Sequence, residues 1–258
     1  MTDVEVVARA HRGALAPLFA QHNPTFLIDT VLEGHTGTAW ADDPRDPHAA
    51  MLAYADVVIY GGDAAHPAAR VLARRLPVYK GVLPSPGGWS DLLEAVYGKR
   101  LVAVERYAFS DNSLDLAHLR ALAQRLPAGL EMRPIDLELA ERIVSESGPV
   151  VEDHVRNFDS PADYVARGAG FVVMHDDRIV AAASSYAACN RGIEVQVNTD
   201  PVYRRHGLAT AVSAMLIAGC LASGVEAHWD AANKESAALA QKLGYTPAGT
   251  YQMMVRVA

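Results

Sequence analysis

Cysteine is nearly absent: Cys189 and Cys220 are the two thiols in 258 residues. That excludes a disulfide framework or a cysteine-built zinc site, and both read as reduced thiols, Cys220 on the apolar face of a helix. Cys189 can be paired from sequence with neither a base nor a helix N-terminus, so it reads as structural. No apolar run is long enough to span a bilayer, and the first residues carry charges where a secretion signal needs an apolar stretch. A cytoplasmic protein with no membrane partner is expected. Positive charge is in deficit, 23 Lys and Arg against 30 Asp and Glu for a net charge of −7, which argues against a nucleic-acid partner. Neither His-x-x-x-His nor His-x-Glu occurs, and His154, His175, His206 and His228 do not gather on one helix face, so no metal site is expected. Gly61-Gly62 is followed by no lysine-serine or further glycine pattern and reads as a plain turn. Repeats and low-complexity tracts are also missing.

What is present is apolar residue, half of the chain, over a length that favours one large or two modest domains. Val4 to Phe19 has its apolar residues near one helix face, with Asn23-Pro24 as the stop. Thr25 to Leu32 reads as a strand, Glu33 to Gly37 as a turn and Thr38 to Ala41 as the returning strand of a hairpin. Asp42 to Pro47 is an acidic, proline-bearing loop and Asp56 to Tyr60 a buried strand. Pro67 to Leu76 and Trp89 to Tyr97 read as helices, Pro77 to Leu83 as extended chain, Lys99 to Phe109 as a strand and Ser113 to Leu126 as a helix. Leu126-Pro127-Ala128-Gly129 is the best boundary, dividing 1–126 from 127–258.

Beyond it come a short strand, Leu130 to Arg133, and a helix capped by Asp136 through Val144. A helical region from Val151 to Gly168 breaks near Asp159-Ser160-Pro161, and Gly170 to Met174 pairs with Ile179 to Tyr186 as a hairpin. Ile193, Val195, Val197 and Thr199 then alternate with Glu194, Gln196 and Asn198, the period of two of a strand with unlike faces. Asp200-Pro201 ends it. Arg204, Arg205, His206 and Gly207 follow, directly before the helix Leu208 to Leu221. Cations and a glycine at a helix N-terminus make an anion-binding layout, because unpaired N–H groups and about half a positive charge lie there. Val225 to Trp229 is a strand, Asn233 to Leu243 a helix stopped at Gly244, and Thr250 to Val257 a strand that can close the sheet.

Arg204, Gly207 and Ala209 resemble motif A of the GNAT superfamily of acyl-CoA-dependent N-acetyltransferases, where [Q/R]-x-x-G-x-[G/A] follows a strand and a proline turn. Asn233, Ser236, Leu239, Leu243, Gly244 and Tyr245 resemble motif B of the same superfamily. The order of elements over 130–258 is similar to the whole GNAT core. The N-terminal half adds a likeness to the two-part group that includes zwittermicin A resistance acetyltransferases. The resemblance implies an α/β (α+β) fold: a mixed central sheet flanked by helices in the C-terminal half, and a smaller α/β N-terminal domain, a degenerate acetyltransferase-like fold that shapes the substrate cleft.

What the resemblance implies chemically is transfer of acetyl from acetyl-CoA to a primary amine of a small molecule, by direct attack in a ternary complex and without a metal. The acidic balance of the chain fits a cationic acceptor, and the protein would be a monomer or homodimer. Val197, Asn198 and Thr199 would bind the pantetheine arm and polarise the thioester. Arg204, Arg205, His206, Gly207, Leu208, Ala209 and Thr210 would hold the pyrophosphate. Asn233, with Ser236, would contact the arm, while asparagine is also a good helix N-cap. Glu194 has two readings, general base or amine-orienting group, and plain carboxylate at an exposed strand end. The family tyrosine that reprotonates the leaving thiolate is replaced by Ala240. Tyr203, Tyr245, a residue of the N-terminal half or solvent remains to do it, or coenzyme A leaves as the thiolate, since an ordinary thiol pKa near ~8.5 makes a tolerable leaving group. Two other functions fit: an acyl-CoA-binding regulatory module with weakened catalysis, and a protein or peptide N-acetyltransferase.

Overall fold

A computed structural model describes residues 3–23 and 25–258; Pro24, read above as a chain breaker, lies outside them. The chain divides into two compact units, one of Met1–Arg106 with Thr250–Ala258 and one of Tyr107–Gly249.

In the first unit β1 (Glu5–Val6), a 3-10 turn over Arg9–Leu15 and α1 (Ala16–Phe19) replace the single helix expected there. The segment expected as a strand is instead α2 (Phe26–Leu32), so the hairpin with Thr38 to Ala41 does not form. A buried run broken only at half-buried Asp29 (Phe26, Leu27, Ile28, Thr30 and Val31) has no period of two to mark a strand. Local capping decides it: the Thr25 side chain accepts a hydrogen bond from the Leu27 N–H at 3.3 Å, closing a helix N-terminus. β2 (Thr38–Ala41), β3 (Ala49–Tyr54) and β4 (Val57–Gly62) form an antiparallel meander with β1 beside β2. The alanine-rich β3 had no strand signal strong enough to be read.

Gly61 and Gly62 are not a turn but the end of β4, opposite Ala50 and Ala49. A Cβ on Gly62, at φ +83°, would fall 2.1 Å from the His48 carbonyl oxygen, so glycine lets two backbones meet there. After α3 (Pro67–Ala73), β5 (Gly81–Val82) runs parallel to β4. α4 (Trp89–Tyr97) brings Trp89 into the core, where its ring stacks on Tyr60 at 4.8 Å and its indole N–H donates to the Gly62 carbonyl. β6 (Leu101–Ser110) leaves this unit between Arg106 and Tyr107.

The second unit begins inside β6 and continues with α5 (Leu116–Ala123), β7 (Glu131–Pro134), α6 (Leu137–Ser145), α7 (Pro161–Arg167), β8 (Gly170–His175), β9 (Arg178–Ala188), β10 (Gly192–Thr199), α8 (Leu208–Ala222), β11 (Glu226–His228), β12 (Asp230–Ala231) and α9 (Lys234–Leu243). Its five-stranded sheet runs β7-β8-β9-β10-β11. It is antiparallel except for the parallel pair β10–β11. α8 buries Leu208, Val212, Leu216 and Ile217 in the core against that sheet. No helix among the described residues is long and apolar enough to cross a membrane.

The division departs from the expected boundary at 126/127. Pro127 and Gly129 do mark a loop, but Leu119, Leu122 and Ala123 of α5 are buried in the second unit's core, so α5 cannot belong to the first. The last strand, β13 (Thr246–Arg256), does not close the second unit's sheet as expected. Its Met254 and Val255 pair with Val82 and Gly81 of β5, and residues 250–258 count with the first unit. The helix expected from Val151 also gives way, to turns in which Asp153 and Val155 both adopt φ +67°; only α7 is helical there.

Candidate active site

β10 is paired on its two sides over different lengths. Toward β9 the ladder runs from Ile193 to Thr199. Toward β11 it covers Gly192, Ile193 and Glu194 alone among the described residues, opposite Glu226, Ala227 and His228. At that point the β9–β10 register slips between Glu194 and Val195, leaving Tyr186 as the extra residue of a bulge. A bulge bends its strand and sharpens the local twist, so β10 leaves β11 just after Glu194. Val197, Asn198 and Thr199 stand on the stretch beyond. An unpaired strand edge offers peptide N–H and C=O groups to an extended ligand.

On the other face the side-chain amides of Gln196 and Asn198 both donate to the Glu152 carbonyl, each at 3.3 Å. They tie β10 to the turn segment 150–158. His154 anchors that segment: it is fully buried, its Nδ1 lies 2.5 Å from Ser184 Oγ, and burial drives its pKa down to about 4. The Asn198 side chain donates there, and its peptide groups, like those of Asp200 whose N–H reaches the Val180 carbonyl, turn toward β9, so the backbone groups facing the open edge are those of Val197 and Thr199.

β10 ends at Asp200, whose carboxylate accepts from the Val202 N–H at 2.9 Å and pairs with Arg178 at 3.1 Å. A 3-10 turn, Pro201–Tyr203, follows. Tyr203 Oη lies 2.6 Å from His175 Nδ1. Arg204 Nε donates to the Thr199 carbonyl at 3.4 Å, Arg205 turns left-handed at φ +69°, and Gly207 does so again at φ +84°. Arg204, Arg205, His206 and Gly207 are all exposed. α8, 15 residues long, starts on Gly207 with no side chain capping it and no acidic residue in its first turn. Leu208 and Thr210 bury their side chains and Ala209 is half-buried, so these three face the loop with main-chain N–H groups. Left-handed turns joined to an open helix N-terminus concentrate donors and positive potential at one point.

At the other end of the same strand stretch Glu194 is buried, 7 % exposed. It is not an exposed strand-end carboxylate. The parallel register sets it beside His228, whose Nδ1–H donates to Oε2 at 2.7 Å. Burial alone would drive this imidazole neutral, but the charge and hydrogen bond of Glu194, reinforced by Asp230 and Asp111, outweigh it and raise the pKa to about 9. At neutral pH the pair is carboxylate and imidazolium. His228 and Asp111 were not among the expected site residues. The nearest signal was that His228-Trp229-Asp230 ends a strand, but the pairing itself depends on a parallel register that one sequence does not state.

α9 carries the remaining candidates. Asn233 is its N-cap, with Oδ1 accepting from the Ser236 N–H at 2.8 Å. Ser236 Oγ accepts from the Trp229 indole at 3.2 Å, which leaves the hydroxyl its own proton to donate. Ala240 is fully buried. Tyr245, one of the substitute acids, donates its hydroxyl to the Ala227 carbonyl at 2.5 Å, and burial holds its pKa well above the usual phenol value. It is fixed where it cannot serve. A hollow of about 860 Å³ lined by Glu5, His11, Asp42 and Arg45 among others belongs wholly to the first unit and contains none of these residues.

The sequence model of a family described as GNAT acetyltransferase matches residues 16–254. The chain is 32% identical to a GCN5-related N-acetyltransferase-like protein from Streptococcus suis of known structure, with a TM-score of 0.83, covering 96% of this chain and 99% of that one. A GCN5-related N-acetyltransferase from Kribbella flavida shares the fold at 16% identity and a TM-score of 0.56, over 98% of this chain and 96% of that one. Among curated proteins it is 27% identical over 165 residues to the uncharacterized N-acetyltransferase YdfB of Bacillus subtilis. That match takes in 63% of this chain and 60% of the length of YdfB.

Proposed function

This chain belongs to the GNAT acetyltransferase family, and we propose that it transfers an acetyl group from acetyl-CoA to a primary amine of a small molecule, with both substrates bound together. GNAT family members use acetyl-CoA as cosubstrate. The observation that carries the reading is β10, which joins a buried carboxylate–imidazolium pair at Glu194 to the arginine-glycine loop after Thr199 through a stretch unpaired toward β11. Five residues of extended chain, about 17 Å, lie between.

The residues fit the cosubstrate. Arg205 and the N–H groups from His206 to Thr210 would take the pyrophosphate, with Arg204 beside them and Gly207 giving an unobstructed approach. Peptide groups of Val197 and Thr199 would pair with the amides of the pantetheine arm, with Asn198 between them turned to β9, and Asn233 and Ser236 would border it. Acetyl-CoA supplies a thioester carbonyl and a thiolate leaving group. Glu194 would attract the acceptor ammonium and take its proton, directly or through a water, so that the neutral nitrogen attacks; the C–N bond forms, the nitrogen gives its second proton to solvent as the adduct collapses, the C–S bond breaks and the thiolate leaves. His228 holds the carboxylate in place and tempers its basicity. Tyr203, hydrogen-bonded to His175, or solvent would return a proton to sulfur. Asp111, Asp230 and Glu194 around one imidazole favour a cationic acceptor over a neutral one.

One observation favours a second reading, an acyl-CoA-binding regulatory module: the family's tyrosine position is the fully buried Ala240, and Tyr245 is locked. Titration calorimetry with acetyl-CoA, followed by mass spectrometry of a pooled amine library, separates the two. Binding with acetylated product is expected, and Arg205→Gly, which relieves a left-handed arginine while removing its charge, should bind acetyl-CoA about 5–30-fold more weakly. Binding without product would favour the regulatory module. No binding would sink both.

A further inference from the structure

We propose that Asp42, His48 and His66, in the first unit, form a binding site for a divalent transition-metal ion of the zinc class. The ligand atoms of these three side chains all lie within 4.8 Å of one another. One carboxylate oxygen, Asp42 Oδ2, is 3.1 Å from His48 Nδ1 and 3.8 Å from His66 Nδ1. Around a tetrahedral ion with bonds of about 2.0–2.2 Å, ligand atoms stand about 3.2–3.6 Å apart. The first pair already stands close to that spacing and the second has a few tenths of an ångström to close.

Two hydrogen bonds would give way to a cation: His48 Nδ1–H donates to Asp42 Oδ2 at 3.1 Å, and binding needs the tautomer that carries its proton on Nε2 instead. His66 Nδ1 accepts the Ala68 N–H at 3.3 Å as the N-cap of α3. A backbone N–H is always the donor, so this nitrogen presents a lone pair and no proton. It therefore faces the Asp42 carboxylate acceptor to acceptor, an arrangement that a positive ion between them relieves. The ion would take over that lone pair, at the expense of one long cap hydrogen bond. The other carboxylate oxygen is already occupied: Oδ1 accepts from the His48 and Ala49 N–H groups, both at 2.9 Å.

Hydrogen bonds fix the main chain that carries the two imidazoles in advance of binding. His48 is held by its N–H on Asp42 and by its carbonyl, which accepts from the Asp63 N–H at 2.8 Å. The Asp63 carbonyl in turn accepts from the His66 N–H at 3.2 Å. Gly62 makes this possible, since any side chain there would strike the His48 carbonyl. The imidazoles stack at 5.2 Å, 10° from parallel, so the more exposed His48 ring turns on binding to bring both in-plane lone pairs onto one ion. The Asp42 side chain is 7% exposed and that of His48 56%, so the ion would have a buried anchor and an open side with a position left for water. Two imidazoles and one carboxylate select zinc, cobalt or nickel over magnesium or calcium.

The test uses the full chain, tag-free and stripped with chelator, titrated with cobalt(II) by visible absorption and with zinc by calorimetry. One equivalent is expected to bind, with affinity lowered at least tenfold by His48→Gln or His66→Asn and lost in the double variant; asparagine at 66 keeps a helix cap. Zinc should raise the melting temperature of the wild type and not of the double variant. Absence of stoichiometric binding, or binding by the double variant as tight as that of the wild type, would overturn the site. Calcium or magnesium binding as tightly as zinc would overturn the assigned class. None of these readouts depends on acetyl transfer.

Discussion

At the scale of single residues, Glu194 and His228 behave as one titrating unit. The imidazole titrates at about 9 in the folded chain against about 6.5 unfolded. The proton it holds stabilises the fold fully below pH 6.5, and that contribution is lost as pH rises through 9. Wild type should therefore lose on the order of 1–3 kcal/mol between pH 6.5 and 9.5 in denaturant titrations, a decline that His228→Gln should flatten. Equal slopes for the two proteins would remove the ion pair from the account. In the same site Glu194→Gln should lower kcat/KM by roughly 10²–10⁴ while acetyl-CoA affinity stays put, as the proposed function requires of a carboxylate that serves the amine and not the phosphates. Glu194 could be singled out as a candidate in the sequence: alternation marked the strand, and the family likeness marked the position. His228 was not, since its relation to Glu194 exists only through the parallel Glu194–His228 register. The same limit hid the pairing of Asp42 with His48 and His66, which meets in space without any spacing signature.

At the scale of elements, what could be read were pieces whose signals are local. β8, β10, α4, α6, α8 and α9 lie where period and caps put them. Asp136 and Asn233 cap α6 and α9 through side-chain oxygens. α2 was misread because five of its seven residues are buried, which erases the alternation that tells a strand from a helix. The segment 150–158 was misread because tertiary ties override helix propensity: Glu152 receives two amides from β10, and His154 is buried against Ser184. α9 offers a way to part structure from binding. Asn233→Ala removes the cap and should cost about 1 kcal/mol of stability together with affinity for acetyl-CoA. Asn233→Asp keeps a capping oxygen but lacks the amide donor and adds charge, so stability should hold while affinity falls. If both variants bind as wild type does, Asn233 is a cap and nothing more.

At the scale of the molecule, the sequence divided the chain at its most loop-like point and the packing divides it elsewhere. Pro127 and Gly129 report only that the backbone turns there. Whether a domain ends there depends on which core the flanking side chains enter, and Leu119, Leu122 and Ala123 enter the one that holds α8 and the sheet. Conversely, the final residues follow the first unit because Met254 and Val255 find their ladder on β5. Two fragments make the difference measurable. A fragment of residues 127–258 deletes α5 and uncovers the part of the core it filled; burying Leu119 and Leu122 contributes roughly 3–6 kcal/mol on the scale of about 1.5–3 kcal/mol for each leucine side chain, a large share of a domain's ~5–15 kcal/mol. A fragment of residues 107–249 keeps that core whole. The longer-starting fragment should unfold cooperatively in urea, and the one beginning at 127 should aggregate or melt without a sharp transition. Cooperative unfolding of 127–258 at wild-type stability would mean that α5 is dispensable and that the loop at Pro127 is the true boundary after all.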